Sequence, residues 1–333
     1  MIRRYQRKPK LLILFVPTFL LLSYWIGLLD YFREKSFNEF KWEPYNIDVR
    51  RQVILQITGS KPEYKEIYSS PKYLLSPSCD GQKLGEKRSV LIIIKSAPNR
   101  YEYRKTIRET WGKQTNLLGF KIRTTFVMGS DEKYDKNIKI EFNEYKDLIV
   151  GDFFDHYRNN TLKLLLSYDY AKNYCNVKNP IPFYLFIDDD YFLSIENLIG
   201  EIKHHIPSER LYMGYRFDST PFRITLAKHY ISLFEYPYTR WPPYISAGAV
   251  LLSNTSLYEF YYASKYVKFF KFDDIYAGII AYILGITPIH NEKFAFWKNG
   301  AENDDFSITI AHHGFDPIML RNKWTELHNN KVE

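Results

Sequence analysis

Three adjacent carboxylates, Asp188, Asp189 and Asp190, follow the apolar run Phe183–Ile187 without a break. Acids this close repel one another unless a cation or solvent relieves the charge. Two of them one residue apart can reach a single hard cation, Mg²⁺ or Mn²⁺, which can itself bridge to a diphosphate. If the preceding run is a strand, the acids stand at its C-terminal end, where open α/β sheets bind ligands. The plain alternative is a solvated acidic turn ahead of the next helix. A second acidic pair, Asp273-Asp274, opens an apolar stretch that runs to Leu284 and stops at Gly285. Ile275, Ile279, Ile280 and Ile283 share one helical face, so the pair belongs to a helix N-terminus. Capping would explain it without chemistry, because carboxylates there accept backbone N–H bonds and suit the dipole. His312-His313 comes third, since imidazole with carboxylate oxygens makes a reasonable Mn²⁺ set. The remaining histidines (156, 204, 205, 229, 290 and 328) read as ordinary surface or core residues.

The elements that must position these groups follow from the apolar pattern. Ser89–Lys95 (SVLIIIK) is a continuous β-branched run, as expected of a strand covered on both faces. Tyr101–Trp111 predicts a helix stopped by Gly112, Ile122–Met128 a second strand, and Asp147–Val150 a short third. Tyr157–Tyr174 predicts a buried helix, Phe183–Ile187 another buried strand, and Ser194–His205 a helix with Ser194 as N-cap. Phe306–Ile310 (FSITI) reads as a late strand. Strand alternating with helix predicts an α/β domain built on a mainly parallel, twisted sheet flanked by helices. Neither a GxGxxG loop nor a Walker lysine loop occurs, so both familiar phosphate cradles are excluded.

The chain has 333 residues, 25% charged and 18% aromatic, with a formal net charge of +8. Five of its 46 basic residues (Arg3, Arg4, Arg7, Lys8 and Lys10) fall in the first ten; the rest nearly balance the 38 acids. A nucleic-acid binder should carry its charge on the folded domain, and this chain does not. Leu11–Leu29 follows as nineteen residues without a charge, about 28 Å as a helix and long enough to span a bilayer. With the basic flank on the cytosolic side, the bulk of the chain would be lumenal; a cleaved signal peptide is the rival, but the apolar run is long for one and no small-x-small site precedes Asp30-Tyr31-Phe32-Arg33. The expected organisation is a cytosolic tail at 1–10, a transmembrane anchor at 11–29, a stem with a little local structure at 30–87 and one α/β domain at 88–328. Cys79 and Cys175 lack metal-ligand spacing; one bridge or two buried thiols would both fit. Asn159-Asn160-Thr161 and Asn254-Thr255-Ser256 match the glycosylation sequon, which matters only in a lumen.

Several ordered blocks between residues 72 and 324 resemble glycosyltransferase family 31, the β-1,3-galactosyl and N-acetylglucosaminyl transferases. Arg104-Lys105-Thr106-Ile107-Arg108-Glu109-Thr110-Trp111-Gly112 is similar to the family's R-x-x-I-R-x-T-W-G signature. Asp152-Phe153 with Asp155 through Lys163 resembles D-F-x-D-x-Y-x-N-L-T-x-K, and Asp188–Asp190 matches the metal motif. Tyr236-Pro237, Pro242-Pro243-Tyr244 and Ser246-Ala247-Gly248 resemble the Y-P…P-P-Y…S-x-G segment. Asp273 through Gly278 resembles E/D-D-V-x-x-G, and His313, Pro317 and Trp324 keep the spacing of the C-terminal H-x-x-x-P…W element. Departures are Asn160 for the usual Leu, Tyr170 near a usual Trp, and Tyr191-Phe192-Leu193-Ser194 for V-F-V-N.

The resemblance implies a GT-A fold, a UDP-sugar donor, Mn²⁺ (or Mg²⁺) dependence, and inverting transfer to the 3-hydroxyl of a glycan on a glycoprotein or glycolipid. It implies Asp190 as metal ligand, with Asp188 beside it and His313 as second protein ligand. Asp188 and Asp189 would lie near the metal, ribose or donor sugar. Asp274 would be the general base, with Asp273 next to it. Arg104, Arg108 and Lys163 are candidates for the nucleotide or diphosphate, with structural ion pairing the rival for Arg104. A helix N-terminus would keep Asp274 ionised but weakly basic. Cys79 and Cys175 coincide with family cysteine positions, which supports the bridge, and residence in the Golgi membrane follows from topology and resemblance together. Two rival readings are a phosphotransferase with Asp188 as nucleophile and a catalytically silent, glycan-binding member of the family.

Overall fold

The computed structural model describes residues 8–78, 88–174, 180–297 and 305–329. Cys79 and Cys175, and with them the expected bridge, lie outside the described residues. The chain divides into two units: residues to Lys41 with Asp218–Pro242, and Trp42–Phe217 with Pro243 onward.

The larger unit is built on a twisted sheet whose strand order is β1-β5-β4-β2-β6-β9-β8-β10, with β3 on the side of β4. The strands are β1 Tyr73–Leu75, β2 Ser89–Lys95, β3 Asn116–Leu117, β4 Phe120–Ser130, β5 Leu148–Phe154 and β6 Phe183–Asp188. A short β7 Tyr191–Leu193 belongs to a second sheet; β8 Tyr212–Phe217, β9 Tyr244–Ser253 and β10 Ile289–His290 complete the first. The central strands β5, β4, β2 and β6 run parallel, but β9 enters antiparallel to both β6 and β8, and β1 antiparallel to β5. The sheet is therefore mixed, not mainly parallel. Ten residues of β9, nearly all buried, insert beside the acid-bearing strand, an arrangement that strand–helix alternation does not reveal.

All seven residues of β2 are buried, and successive side chains point to opposite faces. Val90, Ile92 and Ile94 enter a core with Ile107 and Trp111 after it, Ile138, Leu198, Ile199, Ile202 and Leu320. That core gathers α4 Tyr101–Glu109, α5 Asp135–Tyr145, α7 Ile195–Ile202 and α10 Pro317–Asn329 on one side. The opposite layer holds α3 Val49–Ile57, α6 Asn160–Asp169, α8 Asn254–Ser264 and α9 Asp273–Leu284, which pack on one another and on β4, β5, β6 and β9. Each fully buried aliphatic side chain contributes roughly 1.5–3 kcal/mol. Part of the segment expected as a stem is thus structured: α3 lies against α8 and α9, and β1 extends the sheet edge.

The second sheet joins β11 Phe294–Ala295, β12 Ala311–His313 and β7, with His313 opposite Tyr191. Residues 306–310 do not form the expected strand. Asp305 turns the chain instead, accepting the Ser307 N–H on Oδ1 and the Thr309 N–H and Oγ–H on its carbonyl. The Tyr157–Tyr174 helix is also subdivided: a 3₁₀ turn leads into α6, which widens to a π-turn at Tyr170–Tyr174.

In the smaller unit α1 Lys8–Trp25 contains Pro17, and a left-handed Gly27 separates it from α2 Leu28–Tyr31. No helix among the described residues is long and apolar enough to cross a membrane. Arg223 is the hub of this unit, paired with Glu34 and donating to the carbonyls of Ile231, Tyr236 and Tyr238.

Candidate active site

Strand alternation decides which groups meet. Lys95 closes β2 on the face opposite Val90, Ile92 and Ile94, and its register partner on β6 is Asp188. Lys95 Nζ therefore stands 3.0 Å from Asp188 Oδ1, and it also reaches Asp273 Oδ2 at 2.6 Å, in the first turn of α9. One buried ammonium thus ties together two acidic motifs 85 residues apart in sequence. Gly278 lets α9 come this close: a Cβ there would stand 2.6 Å from Tyr244 Cβ on β9.

Asp189 faces elsewhere. It is nearly buried and accepts from Ser96 Oγ at 2.8 Å and from Arg100 Nε at 2.9 Å, with Arg100 Nη2 on its other oxygen. Arg100 also stacks on Tyr103, its guanidinium carbon 3.6 Å from the ring centre. Asp190 lies across from His313, Oδ2 to Nε2 at 3.6 Å, because β7 and β12 pair antiparallel and the Gly314 and Phe315 N–H groups both donate to the Asp190 carbonyl. The His313 ring lies between Tyr191 and Phe296, and its Nδ1–H donates to the Phe296 carbonyl at 3.2 Å. With Nδ1–H engaged, Nε2 faces Asp190: the neutral ring offers a metal its lone pair there, and the protonated ring pairs with the carboxylate.

The charges differ in kind. Burial raises the Asp274 carboxyl to about 7, and the neighbouring Asp273 adds to the rise against the pull of Lys95. Asp274 is thus a stronger base than its helix-end position implies, because dehydration and a like charge outweigh the dipole. Burial also raises Asp188, opposed by Lys95. For Asp190 burial acts upward, yet hydrogen bonding and attraction from His313 leave it lowered, and the same contact raises His313.

Arg104 does not face this cleft with free donors. It is fully buried, with Nε and Nη2 on Glu141, Nη1 on Ser96 Oγ and the Ala97 carbonyl, and Nη2 also on the Pro98 carbonyl. All five guanidinium N–H groups are engaged, so none is left for a diphosphate. Arg108 is clamped through Nε and Nη2 by Glu141 and Asp147, leaving Nη1 buried with no hydrogen-bond partner among the described residues, and Lys163 Nζ is held by Asp155 and the Ser96 carbonyl. Arg104 and Lys163 thus brace the loop after β2, while Arg108 ties α4 to α5 and to Asp147 ahead of β5. Lys95, Ser96 and Arg100 are the site residues that the motifs do not include, and Asp155, inside a matched block, carried no assigned role; the visible signal was a lysine ending an otherwise apolar strand.

A divalent cation fits the residues present. Asp190 Oδ1 is buried with no hydrogen-bond partner among the described residues, next to an imidazole whose tautomer is fixed for ligation. Among the described residues no group of three or more His, Cys, Asp or Glu is placed to hold a metal. Such a site needs further oxygen ligands from a diphosphate and water, as Mg²⁺-type sites commonly do. His312 stacks on Phe306 in the core, and Trp111 is fully buried. In the sequons, Asn159 Nδ2 donates to the Phe154 carbonyl and Asn254 Nδ2 to the Ile181 carbonyl, while Thr161 and Ser256 are buried.

Residues 102–292 match the family model described as galactosyltransferase. β-1,3-Galactosyltransferase bre-5 of Caenorhabditis elegans is 35% identical over 96% of this chain and 93% of its own. β-1,3-Galactosyltransferase brn of Drosophila melanogaster is 34% identical, with 94% of each chain covered. Human β-1,3-galactosyltransferase 1 is 28% identical over 73% of this chain and 74% of its own. Among solved structures, galactosyltransferase LgtC aligns at a TM-score of 0.36 and 10% identity over 72% of this chain and 95% of that one, too low to carry an argument. The family model and the relatives together establish that the chain belongs to the galactosyltransferase family and is a glycosyltransferase.

Proposed function

We propose that the protein transfers galactose from UDP-galactose to the 3-hydroxyl of a glycan, with inversion at the anomeric carbon. The observation that carries this is the Lys95 bridge, which ties Asp273 in the first turn of α9 to Asp188, with Asp274, whose proton affinity burial and Asp273 raise, next in the chain. Asp274 takes the acceptor proton as the acceptor oxygen bonds the anomeric carbon, and the bond to the diphosphate breaks to release UDP. A carboxylate titrating near neutrality is matched to that task. Asp190 and His313 would hold Mn²⁺ or Mg²⁺, which supplies neutralising charge for the departing diphosphate. Arg100, fixed by Asp189 and Tyr103 and about a third exposed, stands where a cation can meet the donor. Lys95 keeps the two acidic motifs at a fixed separation.

The same reading takes Leu11–Leu29 as a membrane anchor, with residues 1–10 cytosolic and the catalytic unit lumenal in the Golgi. Its support is the uncharged run after five basic residues and the exposure of Phe19, Leu20, Leu21, Leu22 and Ile26. The transfer reaction is tested with UDP-galactose and a panel of β-hexosides and N-acetylhexosaminides, each beside its 3-deoxy counterpart. Transfer to a 3-hydroxyl acceptor, absent with the 3-deoxy compound and lost by at least about 100-fold in Asp274→Asn, is expected. Unchanged transfer in Asp274→Asn would remove it as the base; UDP binding without any transfer would favour a silent, glycan-binding member.

A further inference from the structure

The smaller unit displays apolar side chains in a pattern that fraying does not explain. Along Pro221–Lys228, exposure alternates: Phe222, Ile224, Leu226 and Lys228 are exposed, while Arg223 is buried and Pro221 lies inward. The segment is a pair of turns, with the Ala227 N–H donating to the Ile224 carbonyl and the Tyr230 N–H to the Ala227 carbonyl; exposed turn positions are normally polar, and here three of the four are large and apolar. Leu226 is 79% exposed and Phe234 99%. The segment is pinned from beneath by Arg223, whose guanidinium is fixed by Glu34 and three backbone carbonyls, and a Phe222–Tyr230 bridge closes it. Residues 219–234 (STPFRITLAKHYISLF) contain no acidic residue.

The position of this segment indicates what covers it. The Thr225 N–H and Oγ–H both donate to the Trp25 carbonyl at 3.2 Å, at the C-terminal end of α1. Gly27 meets Arg223 so closely that a Cβ there would stand 2.5 Å from the Arg223 carbonyl oxygen. The exposed apolar loop is therefore continuous with the end of the uncharged 11–29 run, where Tyr24, Trp25, Tyr31 and Phe32 are also exposed. Aromatic side chains gathered at one end of an apolar span, with Lys228 exposed among them, suit the headgroup layer of a bilayer.

We propose that Phe222, Ile224, Leu226 and Phe234 form an interfacial surface that inserts into the lumenal leaflet of the membrane entered by residues 11–29. The proposal rests on the anchor reading above. It makes the smaller unit a membrane-seated collar and not a free stalk.

The test uses the full chain in phosphatidylcholine/phosphatidylglycerol nanodiscs, with a nitroxide on Leu226→Cys or, separately, on Leu21→Cys. Signal from the chain without an added cysteine is subtracted. Power-saturation accessibility to oxygen and to a water-soluble nickel chelate gives each label's depth. The expected result is a deep label at position 21 and a shallow lipid-exposed label at 226. A lipid-exposed label at 21 with an aqueous label at 226 overturns the proposal and leaves the anchor standing. Two aqueous labels overturn the anchor and the proposal together. Dipolar broadening at 226 that disappears on dilution with unlabelled chain would mean that a second copy covers the surface, which also overturns it.

Discussion

Replacing Lys95 with methionine removes the ammonium between Asp188 and Asp273 while keeping the apolar stem and its length. At an effective dielectric of about 20, unit charges at the observed 2.6 and 3.0 Å attract by roughly 6 and 5.5 kcal/mol. Desolvation offsets most of this, and removing one partner of a buried pair typically costs about 3–5 kcal/mol net. Asp273 is 10% exposed and stays dry, whereas Asp188 at 36% regains water, which places the loss near 3 kcal/mol. At about 2 °C per kcal/mol for a unit of this size, the melting temperature should fall by roughly 6 °C. The loss should also depend on pH. Lys95 opposes the rise that burial and Asp273 impose on Asp274, so the variant should hold that proton still more tightly. Above the unfolded aspartate value of about 3.9 the folded variant then binds more protons than the unfolded chain. Its stability therefore falls as pH rises toward the folded value and stays lowered above it. Thermal and urea unfolding of both proteins at pH 5 and pH 8 should show the larger deficit at pH 8. A variant within about 1 °C of the parent at both pH values would refute the bridge.

Other outcomes follow from the same contacts. Because Asp274 must be ionised to accept a proton, kcat/KM should fall about tenfold per pH unit below about 7; a flat profile down to pH 5 would exclude it as the base. Gly278→Val places atoms against Tyr244 and should cost roughly 1–3 kcal/mol and displace Asp274, lowering kcat while UDP affinity holds; equal kcat would mean that α9 tolerates the shift. Arg104→Met should cost about 3 kcal/mol with donor affinity unchanged, since Glu141 loses its bidentate partner; the reverse pattern in unfolding and UDP titration would return Arg104 to the donor site.

The parts of this account that were legible in sequence are those carried by local pattern. SVLIIIK and FYLFI declare buried strands, Ser194 caps α7 by accepting the Asn197 N–H, and Gly285 ends α9 in the left-handed conformation. The acidic motifs and His313 were visible as types and spacings. The meeting of Asp188 with Asp273 was not, because it depends on the register of β2 against β6 and on a helix delivered by an antiparallel strand. Arg104 and Arg108 looked like diphosphate ligands because an arginine's partners are not written beside it; Glu141 and Asp147 lie more than thirty residues away. The strength of Asp274 as a base was misread for a related reason: the dipole is local, whereas dehydration by neighbouring elements is tertiary. Asp305 overrode the strand pattern of residues 306–310 through side-chain and carbonyl turns that propensity does not weigh.

The central claim is that Asp190 and His313 complete a cation site only with a donor diphosphate. Titration calorimetry of UDP into the full chain, with and without Mn²⁺, tests it most directly when repeated on Asp190→Ala. UDP should bind at least about tenfold tighter with Mn²⁺, a gain of roughly 1.4 kcal/mol, and Asp190→Ala should lose that gain. UDP binding of equal affinity with and without Mn²⁺, or a metal effect that survives Asp190→Ala, would contradict it.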